Sequence, residues 1–164
     1  SFQEFYGLTK EQTEKAIDLY QERYKPIGVY ENRPYEGIED CLECLKDAGY
    51  SLVVATSKPV DMAMKVLEHF NLLHYFDFVA ARDMEGVLYS KADVIRYAIN
   101  EHSVNDVNRI LMIGDRKFDV LGAREVGLDC VGVLYGYGDM EEMQRAKAKY
   151  VVGTVGELKE LLLQ

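Results

Sequence analysis

Residues Ile110–Gly127 read I-L-M-I-G-D-R-K-F-D-V-L-G-A-R-E-V-G. Ile110 to Ile113 is an unbroken apolar run of strand length, the composition expected of a strand buried on both faces of a parallel sheet. Beyond Gly114 the period changes, and Val120, Leu121, Ala123 and Val126 fall at helical spacing. A strand that breaks at a glycine and continues as a helix sets Asp115 and Asp119 at its carboxyl end, the edge of an open α/β sheet where ligands bind. Two carboxylates aimed at one point repel unless a cation or a proton joins them. A hard, oxygen-seeking ion such as Mg²⁺ is the natural partner. The plainer alternative is that Asp119 favours the positive end of its helix while Asp115 merely ends the strand.

The flanking sequence repeats this unit. Helix Ile38 to Ala48 closes on Gly49, strand Ser51 to Thr56 leads to helix Val60 to Phe70, and a short strand covers Phe78 to Ala81. Ser90 caps a helix carrying Val94, Ile95, Ala98 and Ile99. After the acidic turn come strand Cys130 to Leu134, a short strand at Tyr150 to Val152, and a last helix bearing Leu158, Leu161 and Leu162, capped by Thr154 with Glu157. Repeated βα units imply an α/β fold with a doubly wound parallel sheet. The chain opens differently. Thr9 and Gln12 form a T-x-x-Q capping box ahead of Ala16, Ile17, Tyr20 and Tyr24 on one helical side, and the helix should end near Pro26 to Gly28. Turn formers from Glu31 to Gly37 place a domain boundary there, dividing residues 1–31 from an α/β core over 32–164.

Composition narrows the function. With 28 acidic against 19 basic residues the net charge is −9, which argues against nonspecific attraction to nucleic acid or anionic lipid. No apolar run approaches the roughly 20 residues of a membrane span, and no signal pattern opens the chain, so a soluble cytoplasmic protein is expected. Cys41 and Cys44 form a lone C-x-x-C and Cys130 stands apart, which is neither a disulfide framework nor a zinc quartet. Ile38, Cys41, Leu42 and Leu45 share a helical face, so these thiols read as core residues.

Two further stretches meet Asp115 at the same sheet edge. Strand Ser51 to Thr56 runs into T-S-K-P, putting Thr56 and Ser57 there, with Pro59 suited to a first helical position. A threonine hydroxyl with N–H groups at a helix start can cradle phosphate oxygens, although Ser57 as a plain N-cap explains part of the pattern. Lys91 follows Ser90 at a helix start, where a cation opposes the helix dipole unless it meets an anion, and an exposed surface lysine is the alternative.

In this order, T-S-K-P, S-K-A-D-V-I and I-G-D-R-K-F-D, the chain resembles the haloacid dehalogenase superfamily over most of its length, and most closely the phosphoglycolate phosphatase and 5'-nucleotidase-like branch. The resemblance implies a Rossmann-like core with a helical cap. It also implies hydrolysis of a small phosphate monoester by way of an aspartyl-phosphate, with Mg²⁺ as cofactor and a small phosphorylated metabolite as partner. Thr56 with the Ser57 N–H would hold the phosphoryl group, Lys91 would neutralise its oxygens, Asp115 would bind the metal and Asp119 would orient that site. The family's first motif, D-x-D-G-T, supplies the nucleophile and the acid-base aspartate, and no such segment opens this sequence. The chain is therefore expected to be a fragment, inactive alone, with residues 1–31 the later part of a cap. In the family's sheet the nucleophile strand lies between the strand ending at Thr56 and the strand ending at Gly114, which predicts a hole there.

Other readings are weaker. Asp83-Met84-Glu85-Gly86-Val87-Leu88 imitates D-x-D-G-T-L but has glutamate and valine at key places and lies between the second and third motifs, so a turn is expected. Gly136 and Gly138 lack the third glycine of a dinucleotide loop and read as an ordinary flexible loop. Arg116 and Lys117 read equally as a positive rim or as solvated residues. A phospho-receiver domain gathers similar residues in another order, and a catalytically silent binding domain is the remaining alternative.

Overall fold

The computed structural model describes residues 9, 11, 12, 15, 31–82, 90–102 and 106–164. The expected helical face of Ala16 to Tyr24 and the Asp83–Leu88 imitation motif lie outside the described residues. The chain divides into two compact units, Ser1–Arg33 and Pro34–Gln164. In the first, Gln12 N–H donates to Thr9 Oγ1 at 3.3 Å and Thr9 N–H donates to Gln12 Oε1 at 2.9 Å, a reciprocal capping box.

The second unit alternates helix and strand: α1 (Ile38–Asp47), β1 (Val53–Pro59), α2 (Val60–His69), β2 (Phe78–Arg82), α3 (Lys91–Glu101), β3 (Leu111–Gly114), α4 (Lys117–Glu125), β4 (Asp129–Val133), α5 (Met140–Ala146), β5 (Tyr150–Val152) and α6 (Val155–Leu162). Helix α5 escaped the sequence reading because it is short and buries only Met143 and Ala146. Its start is fixed by Asp139, whose carboxylate accepts the Glu142 N–H at 2.8 Å. Among the described residues β1 pairs with β2, β3 with β4 and β4 with β5, all in parallel.

Alternation along β4 shows that helices cover both faces. Cys130 packs with Ile95 of α3, Val120 and Ala123 of α4, and Met143 and Ala146 of α5. Val131 and Val133 point the other way, onto Val152 and Leu158, and α1 joins that side through Cys41 and Leu45 against Val155. The β3–β4–β5 sheet is thus covered on both faces, as in a doubly wound fold, with successive residues of β4 serving opposite layers. Cys41 and Cys130 are buried free thiols, as a core reading requires, and burial pushes the Cys130 thiol up to about 12. Cys44 departs from that reading: it is only half-buried and accepts from Lys159 Nζ at 3.7 Å.

The strands of the described residues form two sheets, β1–β2 and β3–β4–β5. Among the described residues no ladder joins β1 to β3, and between them lies a groove of about 1250 Å³ lined by Val53 and Ala55 on one side and Leu111, Met112 and Ile113 on the other. This corrects the expected two-sided burial of Ile110 to Ile113. Leu111 and Ile113 are 36% and 38% exposed, because β3 is hydrogen-bonded along one edge and faces the groove along the other.

At the amino end of β1, Asp77 gathers Lys46 Nζ at 2.7 Å, the Leu52 N–H at 2.8 Å and Ser51 Oγ at 2.9 Å. Chiefly through the Lys46 hydrogen bond, its carboxyl is held at about 2. Among the described residues no helix is long and apolar enough to cross a membrane.

Candidate active site

Of Thr56, Lys91, Asp115 and Asp119, only Lys91 and Asp119 are in direct contact, while Thr56 directly follows the Ala55 carbonyl that Lys91 holds and Asp115 is engaged separately by the Tyr137 N–H. Thr56 is half-buried at the point where the β1–β2 register slips. Its Oγ1 accepts the Lys58 N–H at 3.1 Å, which leaves the hydroxyl proton to donate elsewhere. The helix expected over Val60 to Phe70 runs from Val60 to His69, and Pro59, suited by sequence to a first helical position, stands just outside it. Pro59 is its N-cap with no side-chain cap bond, and the exposed Ser57 precedes it in the strand. The surroundings of Thr56 are therefore an irregular strand end and not a helix N-terminus.

Ser90 caps α3 with Asp93, Asp93 N–H donating to Ser90 Oγ at 3.1 Å and Ser90 N–H to Asp93 Oδ2 at 3.0 Å. That cap starts the helix at Lys91, whose Nζ donates to the Ala55 carbonyl at 3.0 Å and pairs with Asp119 Oδ1 at 2.8 Å. The Lys91 and Asp119 side chains are 15% and 9% exposed. Lys91 is thus no surface lysine. A Cβ on Gly122 would lie 2.9 Å from Lys91 Cγ, so glycine at that place lets the lysine stem pass between α3 and α4.

The second oxygen of Asp119, Oδ2, accepts the Arg116 N–H at 3.0 Å. A Cβ on Gly114 would meet the Asp119 side chain at 2.2 to 2.6 Å, which explains the glycine between strand and acidic turn. For Asp119 the expected cation is the chain's own ammonium. Asp115 is held otherwise: its Oδ2 accepts the Tyr137 N–H at 2.9 Å. The Gly136–Gly138 segment, expected to be an ordinary flexible loop, lies against it. Burial first and the Asp115 charge second push the Tyr35 phenol up, and burial takes that of Tyr135 to about 12. Their rings meet edge-on at 4.9 Å.

Arg116 and Lys117 are anchored to α5. Arg116 Nε pairs with Glu142 Oε1 at 2.9 Å, and the Lys117 N–H donates to the same oxygen at 2.7 Å. The guanidinium lowers the Glu142 carboxyl, which in turn raises Arg116. The sequence reading missed Glu142 and the Tyr137 N–H. The available signal was a pair of glycines directly after a strand at the ligand-binding edge.

Among the described residues no three acidic, histidine or cysteine side chains cluster as ligands. Mg²⁺ needs fewer, since it is commonly held by one or two carboxylates, with water and substrate phosphate completing its shell. Asp115, half-buried with one oxygen engaged, fits as one such ligand. Asp119 has one oxygen on the Lys91 ammonium and the other on the Arg116 N–H, which suits it to orient the lysine.

The profile of haloacid dehalogenase-like hydrolases matches residues 2–133. The 5'-nucleotidase of Pseudomonas aeruginosa is 33% identical over 161 residues, 98% of this chain and 72% of that protein. Tyrosine-protein kinase PtkA of Mycobacterium tuberculosis is 35% identical over 93% of this chain, which spans about half (53%) of PtkA. Phosphoglycolate phosphatases are also among its relatives. The crystal structure of a predicted phosphatase from Clostridium acetobutylicum superposes with a TM-score of 0.93 at 44% identity, covering 99% of this chain and 74% of that one. The chain belongs to the haloacid dehalogenase-like hydrolase family.

Proposed function

We propose that this chain carries the phosphate- and metal-holding part of a Mg²⁺-dependent cytoplasmic phosphatase acting on a small phosphate monoester, phosphoglycolate- or nucleotide-like. The observation that carries this reading is the position of the Lys91 ammonium, between Asp119 and the carbonyl that precedes Thr56. A preorganised cation held on the strand that carries a hydroxyl donor is what a transferring phosphoryl group requires. The similarity to a 5'-nucleotidase and to phosphoglycolate phosphatases supports the substrate class.

In this mechanism Thr56 donates its hydroxyl proton to a phosphoryl oxygen and Lys91 neutralises the oxygens as charge moves. Asp119 holds Lys91 in place, and the free oxygen of Asp115 would hold Mg²⁺. The metal would supply Lewis-acid stabilisation of phosphate charge. The nucleophilic carboxylate, which would carry an aspartyl-phosphate, is assigned to a segment outside these 164 residues, seated in the groove between β1 and β3. Residues 1–31 are read as part of a cap.

The test joins this chain to the part of the Clostridium acetobutylicum protein that has no counterpart here, and assays phosphate release from phosphoglycolate and nucleoside monophosphates. Mg²⁺-dependent turnover abolished by Lys91→Ala and by Asp115→Asn is expected. Turnover that ignores both substitutions would sink the proposal.

A further inference from the structure

Gly136-Tyr137-Gly138 is not explained as an ordinary turn. None of the three has a positive φ, so backbone freedom is not the reason for two glycines. Close approach is. A Cβ on Gly136 would stand 2.3 Å from Asp115 Cβ and 2.4 Å from its Oδ2, and one on Gly138 would stand 2.2 Å from the Asp115 carbonyl oxygen and 2.7 Å from Met143 Cε. Real Cβ atoms do not occupy such distances, so any side chain at either position must move Asp115 or the loop. Between the glycines, the Tyr137 N–H donates to Asp115 Oδ2, while the Tyr137 side chain is turned out to solvent, the residue being 85% exposed. Only the main chain of this tyrosine serves the site.

We infer that Gly136-Tyr137-Gly138 is a positioning clamp for Asp115, fixing its carboxylate so that one oxygen is engaged by the Tyr137 N–H and the other is presented to a divalent cation. The inference rests on the proposed reading of Asp115 as a metal ligand. Helix α5 backs the same turn from the next segment of chain, through Glu142 to Arg116 and the Lys117 N–H. The acidic turn is thus gripped from β4 through α5, which explains how a half-buried carboxylate keeps one orientation. Groups that orient a metal ligand without touching the metal matter to affinity nearly as much as the ligand itself.

The test uses the whole 164-residue chain, with Mn²⁺ as a paramagnetic probe and the Tyr137 amide followed by nuclear magnetic resonance. Gly136→Ala should weaken Mn²⁺ binding at least about 10-fold, as loss of a ligand-orienting partner does. Tyr137→Ala, which keeps the N–H, should change it less than about 2-fold. Equal affinity for folded Gly136→Ala and the parent chain would overturn the inference. Independently of any metal, Asp115→Ala should speed hydrogen exchange at the Tyr137 amide at least about 10-fold by removing its acceptor. Unchanged exchange would overturn the clamp. If the parent chain binds no Mn²⁺, the metal reading of Asp115 fails, and the exchange result alone decides the clamp, as it does if Gly136→Ala fails to fold.

Discussion

Lys91 Nζ lies 2.8 Å from Asp119 Oδ1 while donating to the Ala55 carbonyl, so one side chain ties α4 to β1. Removing one partner of a buried pair leaves an uncompensated charge, and Lys91→Met should cost about 3 to 5 kcal/mol of stability. The double variant Lys91→Met/Asp119→Asn should recover most of that loss in urea unfolding. Activity should behave differently. In the assembled enzyme Lys91→Ala should lower turnover at least about 100-fold, and the double variant should not restore it, because the cation itself is missing. Recovery of turnover in the double variant would assign Lys91 a structural role alone.

Asp115→Asn should weaken Mg²⁺ binding by about 10-fold or more, since an amide replaces an anionic ligand opposite a hard cation. Asn keeps an oxygen to accept the Tyr137 N–H, so stability should change by less than about 1 kcal/mol. Calorimetric titration with denaturation of the same samples checks both statements, and unaltered Mg²⁺ affinity would remove Asp115 from the metal site.

Asp77 gives the fold an acid-sensitive point far from the chemistry. Its carboxyl falls from the ordinary 3.8 to about 2 on folding, so the ionised form is favoured by the folded state. The resulting stability is present above the unfolded value and is lost as pH falls from about 4 through 2. Unfolding midpoints of the parent chain and Asp77→Asn should therefore differ at pH 6 and converge near pH 2. A gap independent of pH would contradict this assignment.

Arg116→Gln should cost no more than about 1 kcal/mol, because its pair with Glu142 is partly exposed and screened by solvent. Thermal unfolding in low and high salt would measure it. A loss much larger than this would mean that the pair, and not the Lys117 N–H to Glu142 bond, anchors the acidic turn to α5.

The sequence made most of the fold legible because strand and helix periods alternate cleanly and because Ser90, Thr154 and Thr9 carry side chains that cap helices. Helix α5 was too short, with too few buried residues, to show a period. The exposure of Leu111 and Ile113 was equally hidden, since an apolar strand has the same composition whether its second edge is paired or open to a groove. At the site, Thr56, Lys91, Asp115 and Asp119 were visible as residue types at a common sheet edge. Their wiring was not: spacing does not reveal that Lys91 satisfies Asp119, or that a tyrosine N–H between two glycines holds Asp115. Those contacts join segments distant in sequence, and only packing creates them.

Under the proposed function this chain would hold and stabilise a phosphoryl group and take its nucleophile from a strand in the β1–β3 groove. Hydrolysis of phosphate monoesters by the 164 residues alone, with Mg²⁺, tests it most directly. Enzymes accelerate this reaction by up to about 10²¹-fold, and charge stabilisation without a nucleophile recovers little of that. No measurable turnover by the chain alone is expected. Robust turnover that disappears in Asp83→Asn would contradict it and would place the nucleophile in the Asp83–Leu88 segment.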